Sequence, residues 1–105
     1  MVMVCIGTLM MASGCGSDLR EVGGSCSYHA DCMERCVTGR HFPGGMCTLS
    51  CDHASDCPGA TMCIDRRDGI CALTCYEDRD CPGGYKCNRE SRHGEGGREY
   101  VCIGD

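Results

Sequence analysis

Twelve of the chain's fourteen cysteines fall into three consecutive groups of four, and this pattern limits the fold more than any other feature of its 105 residues. The first group is "CSYHADCMERCVTGRHFPGGMC", residues 26–47. The second is "CDHASDCPGATMCIDRRDGIC", residues 51–71. The third is "CYEDRDCPGGYKCNRESRHGEGGREYVC", residues 75–102. Five residues separate the first two cysteines in every group, and an aspartate stands before the second: Asp31, Asp56 and Asp80. The second and third groups continue as Cys-Pro-Gly, and three residues join consecutive groups. First cysteines recur after 25 and then 24 residues, a specific mark of internal repetition. The first group is degenerate, because its Pro43-Gly44-Gly45 lies one loop later.

So many cysteines in a short chain mark a disulfide scaffold. Apolar residues alone do not suffice for an ordinary core. Beyond Cys15 the chain has nine Leu, Ile or Val, three Met, one Phe and four Tyr, too few to offset the entropy of ordering about ninety residues. Dense cross-links supply the remainder, and they persist in oxidising compartments. The formal charge of −5, with signs mixed along the chain, excludes the basic face of a nucleic-acid binder.

Pro58-Gly59 and Pro82-Gly83 suit the central positions of type II turns. Asp68-Gly69 is a hairpin-type turn signal before Cys71. "YKCNR" and "REYVC" flank "ESRHGEGG" and read as a short hairpin. No sustained 3.6-residue period follows position 15, so little helix is expected. The expected fold is small and disulfide-rich: tandem four-cysteine repeats with turns and short β-hairpins, touching mainly their neighbours.

The opening "MVMVCIGTLMMASG" is uncharged, and its apolar stretch is too short to span a membrane as a helix. It suits the apolar region of a secretory signal, with Ala12, Ser13 and Gly14 as the small residues at a cleavage site. Cys15 follows directly. "MMASGCG" therefore resembles the bacterial lipobox, which implies a lipidated Cys15 at the mature N-terminus and removal of residues 1–14. Ala12 stands where that pattern usually has Leu. No Lys or Arg precedes the apolar run, so a start further upstream is expected. Removal of Cys5 and lipidation of Cys15 leave twelve cysteines for six disulfides. Residues 15–25 then form the lipidated cysteine and a Gly/Ser-rich flexible tether, and 26–105 carry the repeats. Gly16 after the cysteine, by resemblance to Gram-negative sorting, implies the outer membrane.

The pattern C-x5-CPxGxxC-x(n)-GxC over residues 26–102 resembles EGF-like, EB-type and dickkopf N-terminal cysteine-rich repeats, and similar tandem repeats occur in lipoproteins of myxobacteria. This resemblance implies an exported, binding-type module. A unit of four cysteines that closes on itself has three connectivities. Pairing first to third and second to fourth interlocks both loops around the Asp-Cys-Pro-Gly turn and matches the order in EGF-like modules. The expected bonds are Cys26–Cys36, Cys32–Cys47, Cys51–Cys63, Cys57–Cys71, Cys75–Cys87 and Cys81–Cys102.

Few side chains suggest chemistry. The chain has no C-x2-C, which argues against zinc, iron–sulfur and thioredoxin-like sites. Asp52, Asp56, Asp65, Asp68, Asp78 and Asp80 are hard oxygen ligands. They do not fall in an EF-hand loop, so Asp56 and Asp80 are weak calcium candidates and turn capping is the simpler role. Histidines 29, 41, 53 and 93 have no paired spacing. No nucleophile–base constellation is set up, so no catalysis and no cofactor are expected. The loop "NRESRHGEGGREY" is the longest between cysteines and reads as a solvated hairpin tip or a contact loop, with Tyr85 and Tyr100 as candidate aromatic anchors. The expected function is that of an exported lipoprotein in the cell envelope, held by a lipid anchor, with repeats acting as a non-catalytic interaction or structural module. The alternatives are a secreted protease-inhibitor-like protein and a calcium-dependent adhesion module.

Overall fold

The computed structural model describes residues 22–104. The expected signal segment 1–14, Cys15 and tether residues 16–21 lie outside the described residues. Each repeat is a one-turn 3-10 helix followed by an antiparallel hairpin. The turns are His29–Asp31, Ala54–Asp56 and Asp78–Asp80. The hairpins pair β1 (Arg35–Val37) with β2 (Met46–Thr48), β3 (Thr61–Ile64) with β4 (Ile70–Leu73), and β5 (Lys86–Ser91) with β6 (Arg98–Ile103). Among the described residues there is no α-helix. The protein is a small disulfide-rich fold.

The hairpin register places the third and fourth cysteines of each repeat opposite one another: Cys36 with Cys47, Cys63 with Cys71, and Cys87 with Cys102. They do not bond to each other. The third reaches back to the first cysteine, as Cys26–Cys36, Cys51–Cys63 and Cys75–Cys87. The fourth reaches back to the second, as Cys32–Cys47, Cys57–Cys71 and Cys81–Cys102. Each hairpin is thus tied at one level to both ends of its 3-10 segment.

The turns form one residue later than the Pro-Gly pairs suggest. Thr61 N–H donates to Pro58 O and Tyr85 N–H to Pro82 O, so proline occupies the first corner and not a central one. The positive φ falls on Ala60 and Gly84. Asp68-Gly69 is displaced in the same way: Gly69 N–H donates to Arg66 O, and Arg67 and Asp68 take the two central positions with positive φ.

Residues 22–25, expected as the end of a tether, are held in place. Gly23 N–H donates to Cys47 O at 2.9 Å, and Cys47 N–H donates to Gly24 O at 2.7 Å. Two residues therefore oppose one, with Gly23 at positive φ, the geometry of a glycine bulge. Val22 packs beside Leu49 and the second repeat's cystines.

One core runs through all three repeats. Val37, Phe42 and Met46 come from the first, Ile64, Ile70 and Ala72 from the second, and Tyr85, Val101 and Ile103 from the third. Burying each Val, Ile or Phe contributes about 1.5–3 kcal/mol. The fully buried Thr48 donates its hydroxyl to Cys71 O at 2.6 Å, joining the first two repeats. A bridge between Thr74 and Val101 joins the second and third. The first and third also meet: Gly104 N–H donates to His41 O at 2.8 Å, and His41 Nδ1 donates to Gly104 O at 3.0 Å. Each repeat therefore touches both others, beyond the mainly neighbour contacts expected.

Candidate functional site

The recurring Asp-Cys step has one local job, repeated three times. Asp31 Oδ2 accepts the N–H groups of Ser27 and Tyr28 at 2.9 and 3.0 Å. Asp56 Oδ2 accepts those of Asp52 and His53 at 2.9 and 3.1 Å. Asp80 Oδ2 accepts those of Tyr76 and Glu77, both at 3.0 Å. Each carboxylate closes the loop between its first two cysteines. The same amides favour the charged form and hold all three carboxyls below their ordinary value. A depressed folded-state value means stability present above the unfolded carboxyl range and lost as pH falls through the lower folded value. Thermal stability of the oxidised protein is therefore expected to fall below about pH 4, the unfolded Asp range. Replacing Asp31, Asp56 and Asp80 by Asn should flatten that decline, and an unchanged acid limb by calorimetry would refute the assignment.

The calcium candidates Asp56 and Asp80 thus each commit an oxygen to two amides. Among the described residues, the clusters with metal-ligand proximity are cysteine triples, such as Cys51, Cys57 and Cys71, whose sulfurs are already in disulfides.

Three of the four histidine side chains hold hydrogen bonds within the fold. His29 Nδ1 accepts the Cys36 N–H at 3.0 Å, and Asp78 Oδ1 does the same for Cys87 N–H at 2.9 Å in the third repeat. His41 joins the first and third repeats, as described. His93 Nδ1 donates to Asp65 Oδ1 at 3.1 Å, and His93 N–H donates to Cys63 O. His53 is exposed.

His93 lies in the long loop of the third repeat, and that loop is neither a free tip nor an outward contact loop along its whole length. Asp65 N–H donates to Ser91 O, and a bridge joins Ile64 to Arg92. Arg66 grips Glu90 with two prongs, Nε at 2.8 Å and Nη2 at 3.3 Å. The next residue turns the other way: Arg67 donates to Thr38 O and lies 5.0 Å over the Phe42 ring. Two successive arginines at the tip of the middle hairpin therefore hold the third and the first repeat. Arg92 pairs with Glu99 at 3.0 Å inside the loop. Residues 94–98 stay exposed.

The two candidate tyrosine anchors part company. Tyr100 is half-exposed beneath Arg89, whose guanidinium lies 5.8 Å from the ring. Tyr85 is 8% exposed and belongs to the shared core. Its hydroxyl is buried without a hydrogen-bond partner among the described residues, an arrangement that costs about 1–3 kcal/mol. Burial pushes its phenol up to about 12.

Tyr85 also lines a groove of about 570 Å³ between the first and third repeats. The other walls are residues 23–25, the turn 43–45, and Pro82 with Gly83. The matching Pro-Gly-Gly triplets of these two repeats face each other: a Cβ on Gly84 would lie 3.4 Å from the Pro43 ring. Sequence reasoning missed this groove. The available signal was that triplet, present in the first and third repeats where the second has Pro-Gly-Ala. Comparison with family models, with curated proteins and with solved structures finds no match to this chain.

Proposed function

We propose that the chain is an exported lipoprotein, anchored through Cys15, whose stapled repeats form a non-catalytic interaction module at the cell envelope. One observation carries this reading. All twelve cysteines from Cys26 to Cys102 are consumed in six disulfides within repeats. Such a set belongs to an oxidising, extracytoplasmic compartment. It leaves no partner among the described residues for Cys15, which stands after small residues where a lipid-accepting cysteine would stand. Two or more acyl chains give stable anchoring where one is marginal. The inhibitor-like alternative needs a loop offered outward to a protease. The Arg66-Arg67 tip is spent on intramolecular contacts, and residues 94–98 are the stretch of the third repeat's loop left exposed.

Mass spectrometry of the membrane fraction from a Gram-negative host tests the anchor. The expected species begins at an acylated Cys15, and a C15S variant should shift to the soluble fraction. An intact, unlipidated Met1 N-terminus in the soluble fraction would overturn the proposal.

A further inference from the structure

We infer that His29 is an acid-released clip: it holds the first repeat's 3-10 turn to its hairpin at neutral pH and lets go when the imidazole takes up a proton. The inference concerns the folded chain alone and does not rest on the lipid anchor.

One structural position carries a different residue in each repeat. Three places after the first cysteine stand His29, Ala54 and Asp78. In the first repeat, His29 Nδ1 accepts the N–H of the third cysteine, Cys36, at 3.0 Å. In the third repeat, Asp78 Oδ1 accepts the N–H of Cys87 at 2.9 Å. Ala54 has no side-chain acceptor to offer in the second. An imidazole nitrogen accepts only while the ring is neutral, and both nitrogens are donors once it is charged. Protonation would therefore set Nδ1 and the Cys36 N–H donor to donor. Histidine side chains change charge between about pH 5 and pH 8, an interval in which carboxylates ordinarily stay ionised. The same amide is thus held by a switchable acceptor in one repeat and by a fixed one in another.

The surroundings leave the bond free to switch. The titratable and charged groups around His29 are Tyr28 and Asp31 on its own turn, and Glu34 and Arg35 where β1 begins. Asp31 Oδ2 is taken by the amides of Ser27 and Tyr28, and Glu34 and Arg35 both engage Ser50. Among the described residues His29 enters no ion pair, so no carboxylate replaces the lost acceptor. The turn buries none of its residues. His29 and Cys36 line a recess of about 470 Å³ with Ser27, Tyr28, Ala30 and Thr38, so solvent protons reach the ring. Cys26–Cys36 and Cys32–Cys47 still tether both ends of the loop, so release is a local opening. His41 and His93 behave differently. Each uses Nδ1 as a donor, to Gly104 O and to Asp65 Oδ1, and a charged ring still donates.

Amide hydrogen exchange of the oxidised, ¹⁵N-labelled full chain in detergent, at about pH 8 and about pH 5, tests the clip. Protection factors remove the intrinsic effect of pH on exchange. Protection of the Cys36 amide should fall about fivefold on acidification, the worth of one ordinary hydrogen bond, with Cys87 unchanged. His29→Asp copies the third repeat and should keep Cys36 protected at both pH values. His29→Ala copies the second and should leave Cys36 equally unprotected at both. Each replacement already occupies this position in the same fold, so both variants are expected to fold. Constant Cys36 protection in the natural chain overturns the clip. So does a fall of the same size in His29→Ala, which would assign it to another group, or an equal fall at Cys87, which would make it a change of the whole molecule.

Discussion

Reduction of the six disulfides is expected to unfold the protein completely. The bonded pairs lie 10 to 21 residues apart. In the chain-entropy model each such link is worth about 2.7–3.3 kcal/mol, before non-additivity. Six together exceed the typical net stability of a domain, about 5–15 kcal/mol. The cysteines are also part of the packing: Cys47, Cys63, Cys71 and Cys102 are fully buried or nearly so. Excess reductant should abolish both resistance to proteolysis and the dispersion of amide NMR signals. A reduced chain that retained either property would show that the shared apolar core suffices without its staples.

The second large effect is expected from a single methyl group. Gly45 has φ +77°, and a Cβ there would sit 1.9 Å from the carbonyl oxygen of Cys26. The obstacle is backbone, and Cys26 is fixed by its disulfide and by a hydrogen bond from its N–H to Gly44 O. Neither side can yield without moving the first repeat. Gly45→Ala should therefore cost about 3–5 kcal/mol, the range of the most damaging point mutations. Gly83→Ala, with open space and no positive φ, should stay within about 0.5 kcal/mol. Denaturant unfolding of the oxidised variants decides it. Equal midpoints for the two would refute the steric account.

The fold class was legible because cysteine spacing, Asp-Cys steps and Pro-Gly pairs are local signals that repeat. The association of the repeats was not. Val37, Phe42, Ile64, Ile70, Val101 and Ile103 occur singly, with no period that says which face they share. Only the folded chain gathers them into one core. Turn frames slipped by one residue because a proline's preference for the second corner does not bar it from the first, and Ala60 accepts a conformation that a sequence reader assigns to glycine. Tyr85 and Tyr100 look alike as letters flanking a loop. One is core and the other half-exposed: Tyr85 closes the turn before β5 and packs in the shared core, whereas Tyr100 lies on β6 opposite Arg89. Gly23-Gly24 read as slack chain, yet a bulge needs the same residues.

The contact between His41 and Gly104 has a bearing on how such a chain can change its copy number. In an open strip of repeats, a unit added or removed leaves the remaining junctions intact. Here the last described residue is stitched back to the first repeat, and the middle hairpin's two arginines reach both sides at once. A fourth unit spliced between the second and third would carry Gly104 away from His41 and leave Arg66 without Glu90. Deleting the middle unit would remove the clasp altogether. The set of three is a closed ring of mutual contacts, so lengthening by duplication is compatible with it only outside residues 22–104.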